Sequence, residues 1–374
     1  MSNSLKLLVM PNIREFGKLV DENLKLIRNT EESSILHINL DRFSNGEGKA
    51  TLNNSVRGQN VFLLSDVGHY GESSEYISRG RTYIKSPDDH FQDLKRAISA
   101  MDGKENKLFV VTPLLYESRQ DKRAKGICES LDCKDALQEL ENKNVDGIIT
   151  FDAHNPVACE NALINTSFDN LYPTYSILKK FITEEDYEPD NLLVIAPDKG
   201  AMDRAIYYAN SLGVDVGMFY KRRDYSKVVN GKNPVVEHKY LGGDVEGKDL
   251  IIVDDMIASG GSMLEVAREL KERGARKIYL VATFSLFTEG EKSAQLFDQA
   301  YQDGTFYKLL TTNVTYVPEY IKNKPWYNEV DLSKYLAKII HTINEGHSIK
   351  DIMDGKEKLV EKMKTLGKYP GQNW

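Results

Sequence analysis

The chain has 374 residues, 41% of them hydrophobic and 28% charged, with a formal net charge of −7. That length suits two domains rather than one, and the acidic balance favours neither nucleic acid nor an anionic membrane as a partner. No run of about 18 apolar residues is present, so no membrane span is expected. The first residues lack a signal peptide's apolar stretch, and the three cysteines, Cys128, Cys133 and Cys159, fit a reduced cytoplasmic protein.

Short apolar runs alternate with amphipathic stretches. Strands are expected at 6–10, 35–40 and 60–64, with a helix at 13–28 between the first two. Residues 68–86, rich in Gly, Ser and Tyr, read as a long surface loop. A helix at 90–101, a strand at 108–112, a helix at 135–143 and a strand at 147–151 follow. Between 155 and 173 Asn and Pro cluster and the pattern weakens, which sets a domain boundary there. Beyond it come a helix at 174–183, a strand at 192–196, a helix at 201–211, a strand at 214–220 and a loop at 224–237. A strand at 249–253, a helix at 261–273 and a strand at 277–283 complete the alternation, and 331–366 reads as helical and charged. This pattern predicts an α/β fold with mostly parallel sheets. The expected division is an N-terminal domain over 1–168, a C-terminal domain over 169–353 and an extension over 354–374.

The most informative segment is Leu250-Ile-Ile-Val-Asp-Asp-Met-Ile-Ala-Ser-Gly-Gly-Ser262. An apolar strand delivers Asp254 and Asp255, and a Ser-Gly-Gly-Ser turn then opens a helix that Gly274 ends. Ligands of parallel α/β sheets bind at the strands' C-terminal edge. Glycine lets the backbone approach a phosphate, and a helix start offers free N–H groups. Gly260 and Gly261 meet the first need, Ser259 and Ser262 add hydroxyl donors, and the two acids suit sugar hydroxyls or a metal. An ordinary strand, turn and capped helix is the bland alternative. It leaves two adjacent acids at a strand end without a purpose.

Val253 to Ser262 resembles the phosphoribosyl pyrophosphate motif of phosphoribosyltransferases and ribose-phosphate diphosphokinases, with Ala258 where the diphosphokinases usually carry Asp. Further segments resemble the diphosphokinases in particular, in their order: Arg42-Phe-Ser-Asn-Gly-Glu47 with Asn54-Ser-Val-Arg-Gly58, Arg119-Gln-Asp-Lys-Arg123 and Phe151-Asp-Ala-His154. Ala196-Pro-Asp-Lys-Gly200 with Arg204, and Lys221-Arg-Arg223, complete the series.

The resemblance implies two similar phosphoribosyltransferase-like domains, each with a mostly parallel sheet flanked by helices. It implies a ribose-phosphate diphosphokinase that takes ATP, ribose 5-phosphate and Mg²⁺ and assembles as a homo-oligomer, a hexamer in the family. Phe43, Asn45 and Glu47 then shape the adenine pocket of a neighbouring subunit, and Arg119, Gln120 and His154 bind ATP. His154 and Asp198 serve the metal, which prefers oxygen ligands. Asp254, Asp255, Ser259, Gly260, Gly261 and Ser262 hold ribose 5-phosphate. Lys221 and Arg223, just past a strand, stabilise the transferring group. A phosphoribosyltransferase and a non-catalytic regulatory relative are the alternative readings.

Overall fold

The computed structural model describes residues 4–124, 126–223 and 235–370, with the backbone alone at 221–223 and 235–238. The chain folds into two compact units. The first holds residues 1–173, 313–318 and 331–353, and the second holds 174–312, 319–330 and 354–374.

In chain order the first unit begins β1 (Leu5–Val9), α1 (Arg14–Arg28), β2 (Ile35–Leu36), β3 (Ile38–Arg42), β4 (Gly48–Leu52) and β5 (Asn60–Leu64). It continues with β6 (Glu75–Ser78), β7 (Arg81–Ile84), α2 (Pro87–Met101), β8 (Lys107–Val111), α3 (Asp132–Glu141), β9 (Gly147–Phe151), α4 (Pro156–Ala162) and β10 (Ser167–Leu171). Its main sheet runs β10-β9-β8-β5-β1-β2, and every pairing is parallel. Central strands β5 and β9 are buried along their whole length, as a sheet covered on both faces requires. The stretch where the sequence pattern weakens holds α4 and the edge strand β10. Ser167-Phe-Asp-Asn-Leu171 carries too much polar character to read as a strand.

Residues 68–86 are not the expected loop. They form a short turn and the antiparallel hairpin β6–β7, with Tyr76 stacked on its cross-strand partner Tyr83. The expected strand at 35–40 divides at His37: β2 joins the sheet, while β3 pairs antiparallel with β4 as a separate ribbon.

The second unit comprises α5 (Thr174–Glu184), β11 (Leu192–Ala196), α6 (Met202–Leu212), β12 (Asp215–Arg223), β13 (Val235–Leu241), β14 (Asp249–Ile257), α7 (Gly261–Glu272), β15 (Ile278–Ser285), α8 (Glu291–Gln302), β16 (Lys308–Thr312), α9 (Glu319–Lys322) and β17 (Tyr327–Val330). Its sheet runs β13-β12-β11-β14-β15-β16-β17 and is parallel except between β12 and β13.

Three C-terminal helices follow: α10 (Ser333–Asn344), α11 (Lys350–Met353) and α12 (Lys356–Thr365). The amphipathic α10 buries Leu336, Ala337, Ile339 and Ile340 and packs on α1, where Asn23 donates to Ser333 at 3.1 Å. That packing returns 331–353 to the first unit rather than to the expected C-terminal domain. Residues 354–370 are part of the second unit instead of a separate extension. There α12 lies on α5 and α6, and Lys368 donates to the carbonyls of Ile182 and Glu185.

Candidate functional site

In the second unit, strand order reverses between β11 and β14: β11 leads to β12 on one side, and β14 to β15 on the other. Such a switch point opens a crevice at the strands' C-terminal ends. Strand lengths deepen it. Pairing between β11 and β12 ends at Ala196 and Met218, and pairing between β11 and β14 ends at Ile195 and Ile252. The neighbours run on, β12 to Arg223 against β13 and β14 to Ile257 against β15. A notch therefore stands above the end of β11, walled by Lys221–Arg223 and by Asp254–Ile257, with Asp198 on the loop at its floor.

Both walls correct the sequence reading. Asp254 and Asp255 lie within β14, not beyond it, and Lys221 and Arg223 lie within β12. The strands exceed their apolar runs because a neighbour on one side keeps their backbone paired. Of the expected loop 224–237, residues 224–234 lie outside the described residues, and 235–237 belong to β13. The side chains of Lys221 and Arg223 likewise lie outside the described residues.

Asp255 is 5% exposed. The backbone N–H of Asp255 donates to Asp254 Oδ1 at 2.9 Å, and that of Met256 to Asp255 Oδ1 at 2.8 Å. Burial, reinforced by the Asp255 charge, raises the Asp254 carboxyl well above the usual carboxylate range, while Arg204 opposes the shift. Two acids held this close in a dry wall are relieved by a cation or by hydroxyl donors. Arg204, half-buried in the first turn of α6, is a site residue the sequence reading quoted without a role. Its spacing from Pro197-Asp198 was the available signal. Asp198 is exposed, and its Oδ1 accepts the N–H groups of Gly200 at 2.8 Å and Ala201 at 3.2 Å.

The loop from β14 to α7 is the candidate phosphate cradle. Gly260 caps α7 with φ +90°, and no side chain caps the helix. First-turn amides thus face the loop with the positive end of the helix dipole behind them. The two glycines do different work. A Cβ on Gly260 would strike the ring of Phe297 on α8, so that glycine serves close packing and a left-handed turn. At Gly261 the nearest atom to such a Cβ is Ser259 Oγ at 4.0 Å, so a side chain there would project into open space.

The first unit carries the remaining candidates on three elements. Arg119 and Gln120 lie exposed on the loop after β8, and His154 lies exposed between β9 and α4. Asp121 joins these two segments by accepting a 2.7 Å hydrogen bond from Asn155, which also caps α4. Beneath them the Cys133 N–H donates to the Gln120 carbonyl, and the Cys133 and Cys159 sulfurs lie 3.8 Å apart, unlinked. Phe43, Asn45 and Glu47 occupy the tip of the β3–β4 ribbon, with Phe43 55% exposed. That ribbon leaves the sheet at its β2 edge, with β1 and β5 between β2 and β8.

The fold defines an α/β protein of two phosphoribosyltransferase-like units, each built on a mostly parallel sheet flanked by helices. Known proteins agree. Residues 176–313 match the model of the phosphoribosyl transferase domain, and residues 5–143 match that of the N-terminal domain of ribose phosphate pyrophosphokinase. Similar chains include the ribose-phosphate pyrophosphokinases of Vibrio cholerae, 28% identical over 91% of this chain and 98% of its own length, and of Vibrio parahaemolyticus, 27% identical with the same coverage. The crystal structure of phosphoribosylpyrophosphate synthetase from Mycobacterium smegmatis shares the fold with a TM-score of 0.74, at 21% identity over 92% of this chain and 100% of that one. The chain belongs to the ribose-phosphate pyrophosphokinase family.

Proposed function

We propose that the chain is a ribose-phosphate diphosphokinase, which moves the diphosphoryl group of Mg-ATP to the anomeric hydroxyl of ribose 5-phosphate and yields phosphoribosyl pyrophosphate and AMP. One observation carries the reading: a helix start capped by Gly260 follows the two acids of β14 in a unit that matches the phosphoribosyl transferase domain, while the other unit matches the pyrophosphokinase N-terminal domain. A plain phosphoribosyltransferase would account for the cradle alone.

Ribose 5-phosphate sets its phosphate against the amides and hydroxyls of Ser259, Gly260, Gly261 and Ser262, and its ring hydroxyls against Asp254 and Asp255. Arg119, Gln120 and His154 hold ATP, and Phe43, Asn45 and Glu47 of a neighbouring copy enclose its adenine. The anomeric oxygen attacks the β-phosphorus in line. The bond from that phosphorus to the oxygen shared with the α-phosphate breaks, AMP leaves, and the hydroxyl proton goes to solvent. Lys221 and Arg223 are assigned the role of stabilising the charge that grows on the transferring group. Little covalent work is asked of the protein beyond positioning and charge stabilisation.

Magnesium fits this donor set. The described residues contain no cluster of three or more ligating side chains that could cage a metal. Mg²⁺ at phosphate sites keeps waters and takes only one or two protein ligands. Asp198, exposed on the notch floor of the second unit, would hold an ion that would supply positive charge to the phosphate oxygens, and His154 is the first unit's candidate metal residue. No helix among the described residues is long and apolar enough to cross a membrane, and all three cysteines are free. We place the enzyme in the cytoplasm as a homo-oligomer, a hexamer by family likeness. Incubation of the purified chain with ribose 5-phosphate, Mg²⁺ and ATP tests the reading: AMP and pyrophosphorylated sugar form in equal amounts, whereas ADP in step with turnover overturns it.

A further inference from the structure

By the family resemblance residues 68–86 are an insertion, and the family reading leaves their hairpin β6–β7 without a task and a buried carboxylate beside it unexplained. Asp93, on α2, is 2% exposed in its side chain and meets three cations. Arg42 Nη2 lies 2.8 Å from it, Lys85 Nζ 3.0 Å and Arg96 Nη1 2.7 Å. The Arg42 and Lys85 side chains are each 8% exposed. A buried charge is tolerated only with its partners in place, so these groups hold one another in fixed positions.

The chain connectivity of the three cations gives the cluster its meaning. Arg42 ends β3 and directly precedes Phe43. Lys85 follows β7 and so ends the inserted hairpin. Arg96 shares α2 with Asp93. One carboxylate therefore joins the ribbon, the insertion and the helix beneath them. Arg42 also lies over the Tyr76 ring of β6, 5.2 Å from its centroid. A Cβ on Gly48, at the start of β4, would fall on the guanidinium groups of Arg42 and Arg96, so both ends of the ribbon's turn rest on this cluster.

The insertion also grips the turn itself. The Arg79 N–H donates to the Ser44 carbonyl at 2.9 Å, and Ser78 Oγ donates to the same oxygen at 3.2 Å. Within the turn, Asn45 Nδ2 donates to Glu47 at 3.0 Å, and the Phe43 N–H to the Glu47 carbonyl at 2.8 Å. The tip is thereby held from both sides while Phe43 stays exposed.

We propose that Asp93 is a positioning residue and that the β6–β7 insertion is a brace, which together fix the Phe43–Asn45–Glu47 tip in the pose that receives the adenine of ATP bound to a neighbouring copy. This rests on the diphosphokinase reading. Asp93 touches no substrate and acts through Arg42 and the tip.

The test uses the full-length chain and separates the Michaelis constants of the two substrates. Lys85→Met removes one cation and leaves Asp93 two, so the fold survives. It raises KM for ATP by about fivefold or more through a displaced tip, with KM for ribose 5-phosphate unchanged. Lys85→Arg restores the parent value. Asp93→Asn gives the larger change. When it is assembled with Gly261→Val, which has a sound tip but a blocked sugar cradle, the mixed oligomer exceeds the activity of either variant alone. If Asp93→Asn does not fold, the Lys85 pair decides the matter. An active parent whose Lys85→Met form keeps KM for ATP overturns the brace, as does a rise shared equally by both substrates. A parent that makes no AMP overturns the diphosphokinase reading itself, which is a different result.

Discussion

The two glycines of the candidate cradle separate by their geometry into one that packs against Phe297 and one with open space beside it, which the proposed function gives to the phosphate, and substitution distinguishes them. Gly260 has φ +90°, and a Cβ on it would meet the Phe297 ring, with Cζ at 2.8 Å. Valine there carries backbone strain of about 1–3 kcal/mol and an overpacking cost of about 1–3 kcal/mol. The chain should lose several degrees of Tm, and any loss of sugar binding would follow from a distorted turn. Gly261 is the first residue of α7 and has open space around its Cβ position. Alanine there costs the fold nothing, since a helical residue gains up to about 1 kcal/mol over glycine. Valine fills the space the phosphate needs. If it displaces two amide-to-phosphate hydrogen bonds of about 1.5 kcal/mol each, binding falls by about 3 kcal/mol, which is roughly a hundredfold. The assay pairs thermal unfolding with titration of ribose 5-phosphate by calorimetry. Gly261→Val with parent Tm and parent affinity would refute the cradle, and so would Gly260→Val that leaves Tm untouched.

Lys221→Ala should lower kcat by about 10²-fold with far smaller changes in either KM, because the interaction proposed for it is one made in the transition state; steady-state kinetics showing kcat within about twofold would remove the proposed role. Arg276→Met strips the buried Asp249 of a two-pronged partner held at 2.9 and 2.8 Å, and should cost about 2 kcal/mol, a fall in Tm of about 5 °C, with kinetics at permissive temperature unchanged. Asp66 in the first unit is 1% exposed, and burial pushes its carboxyl up to about 7 against the pull of the Tyr316 and Gly68 N–H groups. The folded state then keeps a proton that the unfolded chain releases near pH 4, so this group's contribution to stability falls as pH rises from about 4 to about 7. Denaturant titrations of Asp66→Asn should show that downward component gone over this window, and a slope identical to the parent's would contradict the assignment.

The fold was legible where physics is local. Buried strands such as β5 and β11 are continuous apolar runs, and α7 announces itself by its apolar spacing and by Gly274. What failed was whatever depends on distant partners. The return of α10 to the first unit rests on its packing against α1, more than 300 residues earlier, as the Asn23–Ser333 hydrogen bond marks. The hairpin β6–β7 is exposed on most positions and lacks the apolar alternation of a half-buried strand, so its composition read as loop. The candidate site residues were chosen by type and order alone, which say nothing of their neighbours. Nothing in the sequence marks Asp93 within the helix expected at 90–101, and only the tertiary structure places Arg42, Lys85 and Arg96 around it.

The central claim is that a diphosphoryl group, not a single phosphoryl group and not a ribosyl group, is transferred. ATP labelled at its β-phosphate, incubated with the chain, Mg²⁺ and ribose 5-phosphate in the absence of any nucleobase, tests it directly. The label is expected on the sugar together with the γ-phosphate, with one unlabelled AMP formed for each labelled sugar. Label retained in ADP, or turnover that begins only when a nucleobase is added, would contradict it.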